Sequence, residues 1–450
     1  MTRLYVHNLG CSKQQIDGEL IRGWGLKRGI QLTDDPQTAD IIVVNTCAFI
    51  QEAQEEAIEA ILEAAQMKAD GNCRELYVCG CLPQRSQQNL AAELPEVDAF
   101  FGVGQWREIL NSISPIGIEG DFRNPYVQRH LETPDHYAYL RIADGCDRGC
   151  TYCVIPSIRG RYRSRPPEEI IEEAEHLARR GVKELLPVAQ ELNSYGHDLG
   201  LGKGNAPLIA LFERLCAVAS LVWVRPLYLH PPACDEELFA FWASQPKLCR
   251  YLDLPIEHAS DRILKAMGRG GSQRQLLNLI ERARQHLPDV VLRTSVIVGF
   301  PGETEADFEE LLDFVQQVRF RRLGSFEFSA EEGTPAASLP NQVSAEIKAR
   351  RRRRLMELQM DISSDYNAAR VGTTEEVFVD SYEAESGFSI AHSRQELPEL
   401  DGEILIPGEY PVGVKVQVLI ESALEYDLMA RVILDCAPLS RRRDVTHENI

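Results

Sequence analysis

The first quarter of the chain alternates short apolar runs with longer stretches of helical periodicity. The apolar runs at 3–8, 40–45 and 75–79 have the length and composition of buried strands. The stretch QEAQEEAIEAILEAAQMK, which follows the second run, has the period of an amphipathic helix. Strands that alternate with helices form a parallel sheet, because each helix returns the chain to the same edge. Residues 1–116 are therefore predicted to form a small parallel α/β domain.

The alternation of strands and helices resumes after a segment rich in Pro, Gly and Asn, which predicts a linker over 117–135. Six further strand-like runs follow, at 139–143, 183–189, 221–228, 250–255, 290–298 and 322–328. Six βα units predict an open, partial (β/α)6 barrel over 136–370, whose functional loops follow the carboxyl ends of the strands.

The last part of the chain has a different pattern, with short strand-like runs and Gly, Pro or acidic turns between them. The runs lie at 374–380, 388–391, 402–406, 414–420 and 428–434. This pattern predicts a five-stranded β-barrel over 371–438, followed by a tail at 439–450. The predicted fold class is thus α/β, with a small all-β domain at the carboxyl end.

Composition and cysteine content favour a protein of the reducing cytoplasm. The chain has 450 residues, of which 44% are hydrophobic, and this is ample for several packed cores. Its 12 cysteines stand in a large chain whose first residues contain no apolar signal run, which argues against a secreted disulfide framework. The longest apolar stretch, at 208–224, is interrupted by Glu213 and Arg214, so we expect no membrane span.

The charge disfavours a nucleic-acid surface and favours a basic protein partner. The formal net charge is -20, and the segment 372–437 holds 14 acidic and three basic residues. Five consecutive arginines, Arg350 to Arg354, are the exception. They precede a helical pattern and are interpreted as a solvated, salt-bridged helix start. RNA contact is left open but is not favoured.

Three cysteines in the run GCDRGCTYC give the most specific chemical signal, with the spacing Cys146-x3-Cys150-x2-Cys153. Thiolates are the preferred ligands of a 4Fe-4S cluster, and three cysteines within one loop can hold three of its four irons. Zinc is the alternative. However, structural zinc sites usually require a second Cys or His pair, and none follows at a suitable spacing.

Three other cysteines each follow a predicted strand of the first domain. Cys11, Cys47 and Cys81 lie within a few residues of the carboxyl ends of the three runs. These ends share one edge of a parallel sheet, so the spacing predicts a second three-thiol cluster site there. Ordinary buried cysteines are the alternative for this set. The remaining cysteines, Cys73, Cys79, Cys216, Cys234, Cys249 and Cys436, lack ligand-like spacing and are predicted to be small core residues.

The CxxxCxxC run resembles the motif of the radical S-adenosylmethionine (SAM) superfamily, in which Tyr152 takes the place of an aromatic residue. Over nearly its whole length the chain resembles the methylthiotransferases of that superfamily. The resembling strings are NLGCSK, NTC, GCLPQR, AQELNSYGHD, YLDLPIEHASDRILKAMGRG, RTSVIVGFPGETE and EYDLMARV. Within the family it resembles the RimO type, which methylthiolates an aspartate of small-subunit ribosomal protein twelve.

The resemblance implies a three-domain enzyme, with a methylthiotransferase domain, a radical SAM domain and a TRAM domain. It implies that one 4Fe-4S cluster lies on the catalytic Cys146, Cys150 and Cys153, and an auxiliary cluster on the other three thiols. One SAM would methylate a sulfur on the auxiliary cluster, and a second would give the radical that removes hydrogen from the aspartate β-carbon. An electron donor such as a flavodoxin or ferredoxin is implied as a partner.

The expected SAM contacts lie at the barrel mouth. Gln190 and Glu191 end the second predicted barrel strand, where the superfamily contacts the SAM amino group. The turn after 290–298 contains Gly299, so the backbone around Val298 and Gly299 is expected to approach the cofactor closely. Tyr152 completes the predicted cofactor contacts.

Two other functions remain as alternatives to this interpretation. The nearest is a tRNA adenosine methylthiotransferase, against which the acidic C-terminal barrel argues. The other is a non-catalytic iron-sulfur sensor or binding protein. The complete CxxxCxxC motif together with the GFPGET run argues against that class.

Overall fold

The computed structural model describes residues 2–113 and 123–434. The first unit is a five-stranded parallel sheet with helices on both faces, in the order β2-β1-β3-β4-β5. Its elements are β1 (Arg3–Asn8), α1 (Ser12–Lys27), β2 (Gln31–Leu32), β3 (Ile41–Thr46), α2 (Gln51–Asp70), β4 (Glu75–Gly80), α3 (Cys81–Glu93), β5 (Ala99–Phe101) and α4 (Trp106–Ile113).

The central strand β3 explains why this sheet is covered on both faces. All six of its residues are buried, and successive side chains point to opposite sides of the sheet. Ile42 and Val44 pack in the core that contains α2 residues, whereas Ile41 and Val43 pack in the core that contains α1 and α4 residues. The predicted parallel α/β domain is confirmed. The pattern missed β2 and β5, which have only two and three residues.

The second unit contains the predicted barrel. Its elements are β6 (Tyr137–Arg141), β7 (Ala143–Asp144), α5 (Ile155–Arg159), β8 (Arg163–Ser164), α6 (Pro167–Arg180), β9 (Glu184–Val188), α7 (Ala206–Ala217), β10 (Trp223–Val224), α8 (Glu236–Ser244), β11 (Tyr251–Asp253), α9 (Asp261–Ala266), α10 (Gln273–His286), β12 (Val291–Val298), α11 (Glu305–Val318), β13 (Arg322–Glu327) and α12 (Ala345–Ala368).

Six parallel strands form an open wall in the order of the sequence. The strands β6, β9 and β10 pair in one set, and β11, β12 and β13 pair in another. An isolated parallel bridge between Val224 and Leu248 joins the two sets. The predicted partial barrel is thus confirmed. The antiparallel pair β7–β8 was not predicted, and it closes the base of the loop that carries three of the cysteines.

The third unit is a closed barrel of five strands in the order β14-β15-β16-β18-β17, as predicted. The strands are β14 (Thr374–Glu383), β15 (Phe388–Ser393), β16 (Ile404–Pro407), β17 (Lys415–Ala423) and β18 (Leu428–Leu434). The predicted tail at 439–450 and Cys436 lie outside the described residues.

The C-terminal barrel docks at the amino-terminal end of the central strands. His392 of β15 contacts Glu184 at the start of β9, with 2.7 Å between Nε2 and Oε2. Arg225 donates from the central unit to the carbonyls of Ser393 and Arg394, at 3.0 and 2.8 Å. The cysteines follow the carboxyl ends of the strands, so this docking leaves their end of the barrel uncovered by the third unit.

The segment predicted as a linker packs between the first two units where the structure describes it, at 123–135. Arg129 has 1% of its surface exposed. Its guanidinium pairs with Glu19 of α1 at 2.6 Å and with Glu173 of α6 at 2.5 Å. The domain boundaries given above stay predictions. The contacts show that the segment joins the two units through a buried charge network.

Candidate active site

The three thiols of the first unit lie at one edge of its sheet. Cys11 follows β1 and occupies the N-cap position of α1. Cys47 follows β3, and Cys81 is the first residue of α3, directly after β4. We call these residues the edge thiols. Gly10 lets two of the loops approach closely, because a β-carbon at this position would lie 2.6 Å from the β-carbon of Cys47. Two helix amino termini face the edge thiols, which favours negative charge on sulfur.

The pKa shifts differ among the edge thiols. Desolvation by the surrounding protein disfavours the Cys11 thiolate, but the charges of Lys13 and Arg159 and the backbone N–H groups outweigh this effect and lower the pKa of Cys11 overall. Burial raises the pKa of Cys47, and burial also raises that of Cys81 to about 12, with the neighbouring thiols adding to both shifts. A positively charged metal centre would offset this mutual repulsion. The donor set therefore fits an iron-sulfur cluster.

The second set, Cys146, Cys150 and Cys153, lies in the loop between β7 and α5, and we call these residues the loop thiols. Each accepts a hydrogen bond from nitrogen. The backbone N–H groups of Arg148 and Ile155 donate to Cys146 and Cys153, both at 3.4 Å, and Arg269 donates to Cys150 at 3.7 Å. Such N–H···S contacts stabilise thiolate ligands and tune a cluster held by them. The loop thiols thus also fit a cluster.

The predicted SAM contacts lie beside this loop. Gln190 donates to Asp144 at 3.0 Å, and its Oε1 is buried with no partner among the described residues. An unpaired buried acceptor fits a ligand that brings a donor, such as an amino group. Glu191 forms a two-point pair with Arg148 of the cysteine loop, at 2.8 and 3.0 Å. Tyr152 packs against a small core that includes Phe300, which lies in the turn after β12.

The turn after β12 is organised by a buried carboxylate. Glu303 accepts from the backbone N–H groups of Gly299 and Phe300, at 2.6 and 3.0 Å. The carbonyl of Val298 accepts from the N–H of Phe328 at 2.9 Å. The predicted cofactor contacts by Val298 and Gly299 stay predictions, and in this structure both backbone groups bond within the protein.

Glu303 also corrects one sequence interpretation. Its carboxylate pairs with Arg351 at 3.0 Å, and the Arg351 side chain is 4% exposed. The interpretation of the arginine run as solvated fits Arg350, Arg352 and Arg353, which are exposed, but it is wrong for Arg351. The helical period places this one position toward the barrel, where the buried carboxylate compensates its charge.

Arg159 links the two thiol sets, and the sequence motifs did not identify it. It ends α5, immediately after the loop thiols, and its side chain is 1% exposed. Its guanidinium donates to both carboxylate oxygens of Asp144 at 3.1 Å and lies 3.6 Å from Asp17 of α1. It also donates to the Cys81 sulfur at 3.9 Å. One buried cation therefore joins the loop that carries one set to the edge that carries the other.

The other cysteines and histidines have structural environments. Cys73, Cys79, Cys216, Cys234 and Cys249 are buried, which confirms their prediction as core residues. Burial lowers the pKa of His230 and of His258 to about 3 in each case, so both rings are neutral near pH 7. Within the described part of the chain neither residue makes a hydrogen bond to an edge thiol or a loop thiol, and the thiol that donates to the His230 carbonyl, at 3.6 Å, is that of Cys234.

Comparison with family models divides the chain as the fold does. Residues 140–315 match the model of the Radical SAM superfamily, 3–102 match Uncharacterized protein family UPF0004, and 371–433 match the TRAM domain. No helix among the described residues combines the length and apolar character needed to cross a membrane.

Curated relatives match nearly the full length. The chain is 44% identical over 439 residues to the ribosomal protein uS12 methylthiotransferase RimO of Trichlorobacter lovleyi, covering 95% of this chain and 97% of the relative. It is 43% identical over 438 residues to the protein of the same name from Geobacter sulfurreducens, covering 95% and 97%.

A solved structure shares the fold. The radical S-adenosylmethionine methyltransferase TsrM from Kitasatospora setae, with tryptophan and a SAM analog bound, aligns with a TM-score of 0.53. The alignment covers 72% of each chain at 15% identity, a level that supports the fold alone.

Proposed function

Because the chain belongs to the family of ribosomal protein uS12 methylthiotransferases within the radical SAM superfamily, we propose that it transfers a methylthio group to the β-carbon of an aspartate of uS12. The observation that carries the proposal is the link made by Arg159, whose guanidinium donates both to Cys81 of one three-thiol set and to Asp144 at the base of the loop that carries the other. The cofactors are 4Fe-4S clusters and SAM.

Each thiol set would hold one 4Fe-4S cluster through its three cysteines. When bound, these groups supply one-electron cleavage of SAM and the methylated sulfur that is delivered to the substrate. The loop thiols hold the cluster that binds SAM, because the orphaned Gln190 Oε1 and the Glu191 carboxylate lie beside that loop. The edge thiols hold the auxiliary cluster.

The protein's own side chains position and shield these groups. Arg269 and two backbone N–H groups orient the loop thiols, and Arg159 orients Cys81. Arg85 of α3 pairs with Glu331 of the central unit at 2.7 Å, which closes one side of the junction between the two units. We expect this contact to help hold the two units together around the thiol sets, since a radical reaction needs a site from which water is excluded.

The substrate's chemistry agrees with the charge of the enzyme. A ribosomal protein is basic, and the C-terminal barrel, with 14 acidic and three basic residues over 372–437, is suited to a basic protein surface. The enzyme acts in the cytoplasm, where its substrate is made. A flavodoxin or ferredoxin supplies the electron.

Mass spectrometry of uS12 and of bulk tRNA from a strain that lacks this gene tests the proposal. We expect uS12 to lose one methylthio group and tRNA to be unchanged, with recovery by the wild-type gene and not by C146A or C11A. Loss of methylthio groups from tRNA, with uS12 unchanged, would contradict the substrate. The absence of 5'-deoxyadenosine when the anaerobic, reconstituted protein receives SAM and reductant would contradict the enzyme class.

A further inference from the structure

Lys13 of α1 is a buried lysine without an acidic partner. It has 5% of its surface exposed, yet among the described residues its ammonium makes no hydrogen bond and no ion pair. The ammonium lies 3.3 Å from the centre of the Tyr228 ring. A cation over an aromatic ring gains roughly 0.5–2 kcal/mol, but the ring is not a hydrogen-bond acceptor of the ordinary kind, so the ammonium N–H groups have no acceptor among the described residues. Such an ammonium is suited to an anion that arrives with a ligand.

The carboxylates near Lys13 are already paired with arginines. Asp17, one helical turn along α1, pairs with Arg141 at 2.8 Å and with Arg159 at 3.6 Å. Asp144 accepts from Arg159 at 3.1 Å. The two arginines therefore occupy both carboxylates, and neither carboxylate pairs with Lys13 among the described residues.

The position of Lys13 is fixed from both units. Its carbonyl accepts a hydrogen bond from Arg141, the last residue of β6. The ring beneath its ammonium belongs to a loop held by two hydrogen bonds of the Tyr228 backbone: its carbonyl accepts from the Leu192 N–H at 3.0 Å, and its N–H donates to the Asp253 carboxylate at 2.9 Å. The ammonium thus lies between the α1 end that carries Cys11 and the barrel loop that follows Glu191.

The ammonium lies over the Tyr228 ring and close enough to Cys11 to favour its thiolate, but it is not bonded to sulfur. Within the described part of the chain it donates to none of the edge thiols, whereas Arg159 does donate to Cys81. Lys13 therefore holds an unpaired positive charge beside Cys11, at the junction of α1 with a loop of the barrel.

We propose that Lys13 binds the carboxylate of the substrate aspartate and so places the β-carbon between the two thiol sets. This inference rests on the proposed function and adds the residue that selects the substrate. A carboxylate forms an ion pair with this ammonium, whereas a neutral side chain or base does not, and the difference favours binding of the aspartate.

The test measures binding of full-length uS12, and of uS12 with asparagine at the modified aspartate, to the reconstituted enzyme with SAM. We expect K13M to weaken binding of wild-type uS12 about 10- to 100-fold, as for a buried hydrogen bond between charged groups. The asparagine form should bind the wild-type enzyme and K13M equally. K13R keeps the charge and should retain the preference for aspartate. K27M removes an exposed lysine of the same helix and serves as the matched control.

Each other result contradicts the inference. Equal binding of wild-type uS12 by K13M and the wild-type enzyme, or equal losses for both forms of uS12, would remove the carboxylate contact. Weaker SAM binding by K13M, with uS12 binding unchanged, would assign the charge to the SAM carboxylate. Loss of iron from K13M and K13R alike would assign Lys13 to cluster assembly. If the wild-type enzyme neither binds nor modifies uS12, the proposed function fails before Lys13 is at issue.

Discussion

At the scale of single residues, Arg159 bonds to partners from three separate segments of the chain, namely Asp144, Asp17 and Cys81. Its buried guanidinium compensates Asp144 and Asp17, and burial alone would raise the pKa of Asp144, but Arg159 and Arg141 hold it below the usual range. Removing one member of a buried charge network leaves the others unpaired, which costs more than the network contributes in net terms.

We therefore expect R159M to lower the free energy of unfolding by about 3–5 kcal/mol. The matched control is R161M, two residues along, because the Arg161 side chain is 90% exposed and its pair with Asp147 is worth little. Urea denaturation of both variants checks this expectation. Equal free energies of unfolding for R159M and R161M would show that Arg159 contributes no more to stability than an exposed arginine.

The sequence pointed to both sets of cysteines, whose roles as ligands stay predictions, and it missed Arg159, Lys13 and His392 for a physical reason. Ligand cysteines show in a sequence because the cluster imposes a spacing within one loop, or a place after a strand. The roles of the other three residues depend on partners distant along the chain. Arg159 and Cys81 are 78 residues apart, and His392 and Glu184 are 208 apart. No local pattern records such a pair.

At the scale of elements, the turn from β1 to α1 positions two of the edge thiols. Gly10 has a φ of +91°, and a β-carbon there would lie 2.6 Å from the β-carbon of Cys47 and 3.0 Å from its sulfur. Alanine would therefore push Cys47 away from Cys11. Gly29, after α1, has a φ of +76° but no atom within 4 Å of the same position.

G10A is thus expected to lose the auxiliary cluster, while G29A keeps it. Both variants carry the strain of alanine at positive φ, about 1–2 kcal/mol, so the difference between them reports the contact with Cys47. Iron and sulfide analysis after reconstitution should give about half of the wild-type content for G10A, since the proposal assigns one of two clusters to this edge. Full iron content in G10A would show that the edge tolerates the displacement.

Element prediction from the sequence succeeded where a strand was long or buried on both sides. β3 and β12, with six and eight residues, gave clear apolar runs. The pair β7–β8 has two residues in each strand, too few for any period, and it exists because the cysteine loop must close.

At the scale of the whole molecule, the C-terminal barrel is held to the central unit by a charged histidine. His392 lies between Asp380 and Glu184, at 2.7 Å from each, and it is buried. Burial favours the neutral ring, but the two carboxylates outweigh it and raise the pKa of His392 to about 9. Both ring nitrogens then donate, which makes this group an ion triad between two units.

The raised pKa of His392 predicts how stability depends on pH. The contribution is fully present below the unfolded value near pH 6.5, declines as the pH rises, and is lost above about 9. A shift of this size corresponds to about 3 kcal/mol. We expect the wild-type melting temperature to fall between pH 6.5 and 9 and that of H392Q to change much less. H197Q, at an exposed loop, controls for loss of a histidine, and parallel profiles for the wild type and H392Q would contradict the triad.

The Glu19–Arg129 pair also bears on how the protein is made. Glu19 emerges from the ribosome 110 residues before Arg129, and Asp17 emerges 124 residues before Arg141. Until those arginines are synthesised, the nascent α1 carries carboxylates that cannot be buried without a partner. We therefore expect this face of α1 to stay hydrated until the first strand of the next unit has been synthesised. The edge that carries Cys11 and Cys81 would then finish folding at about the time when the loop with the other three cysteines is synthesised.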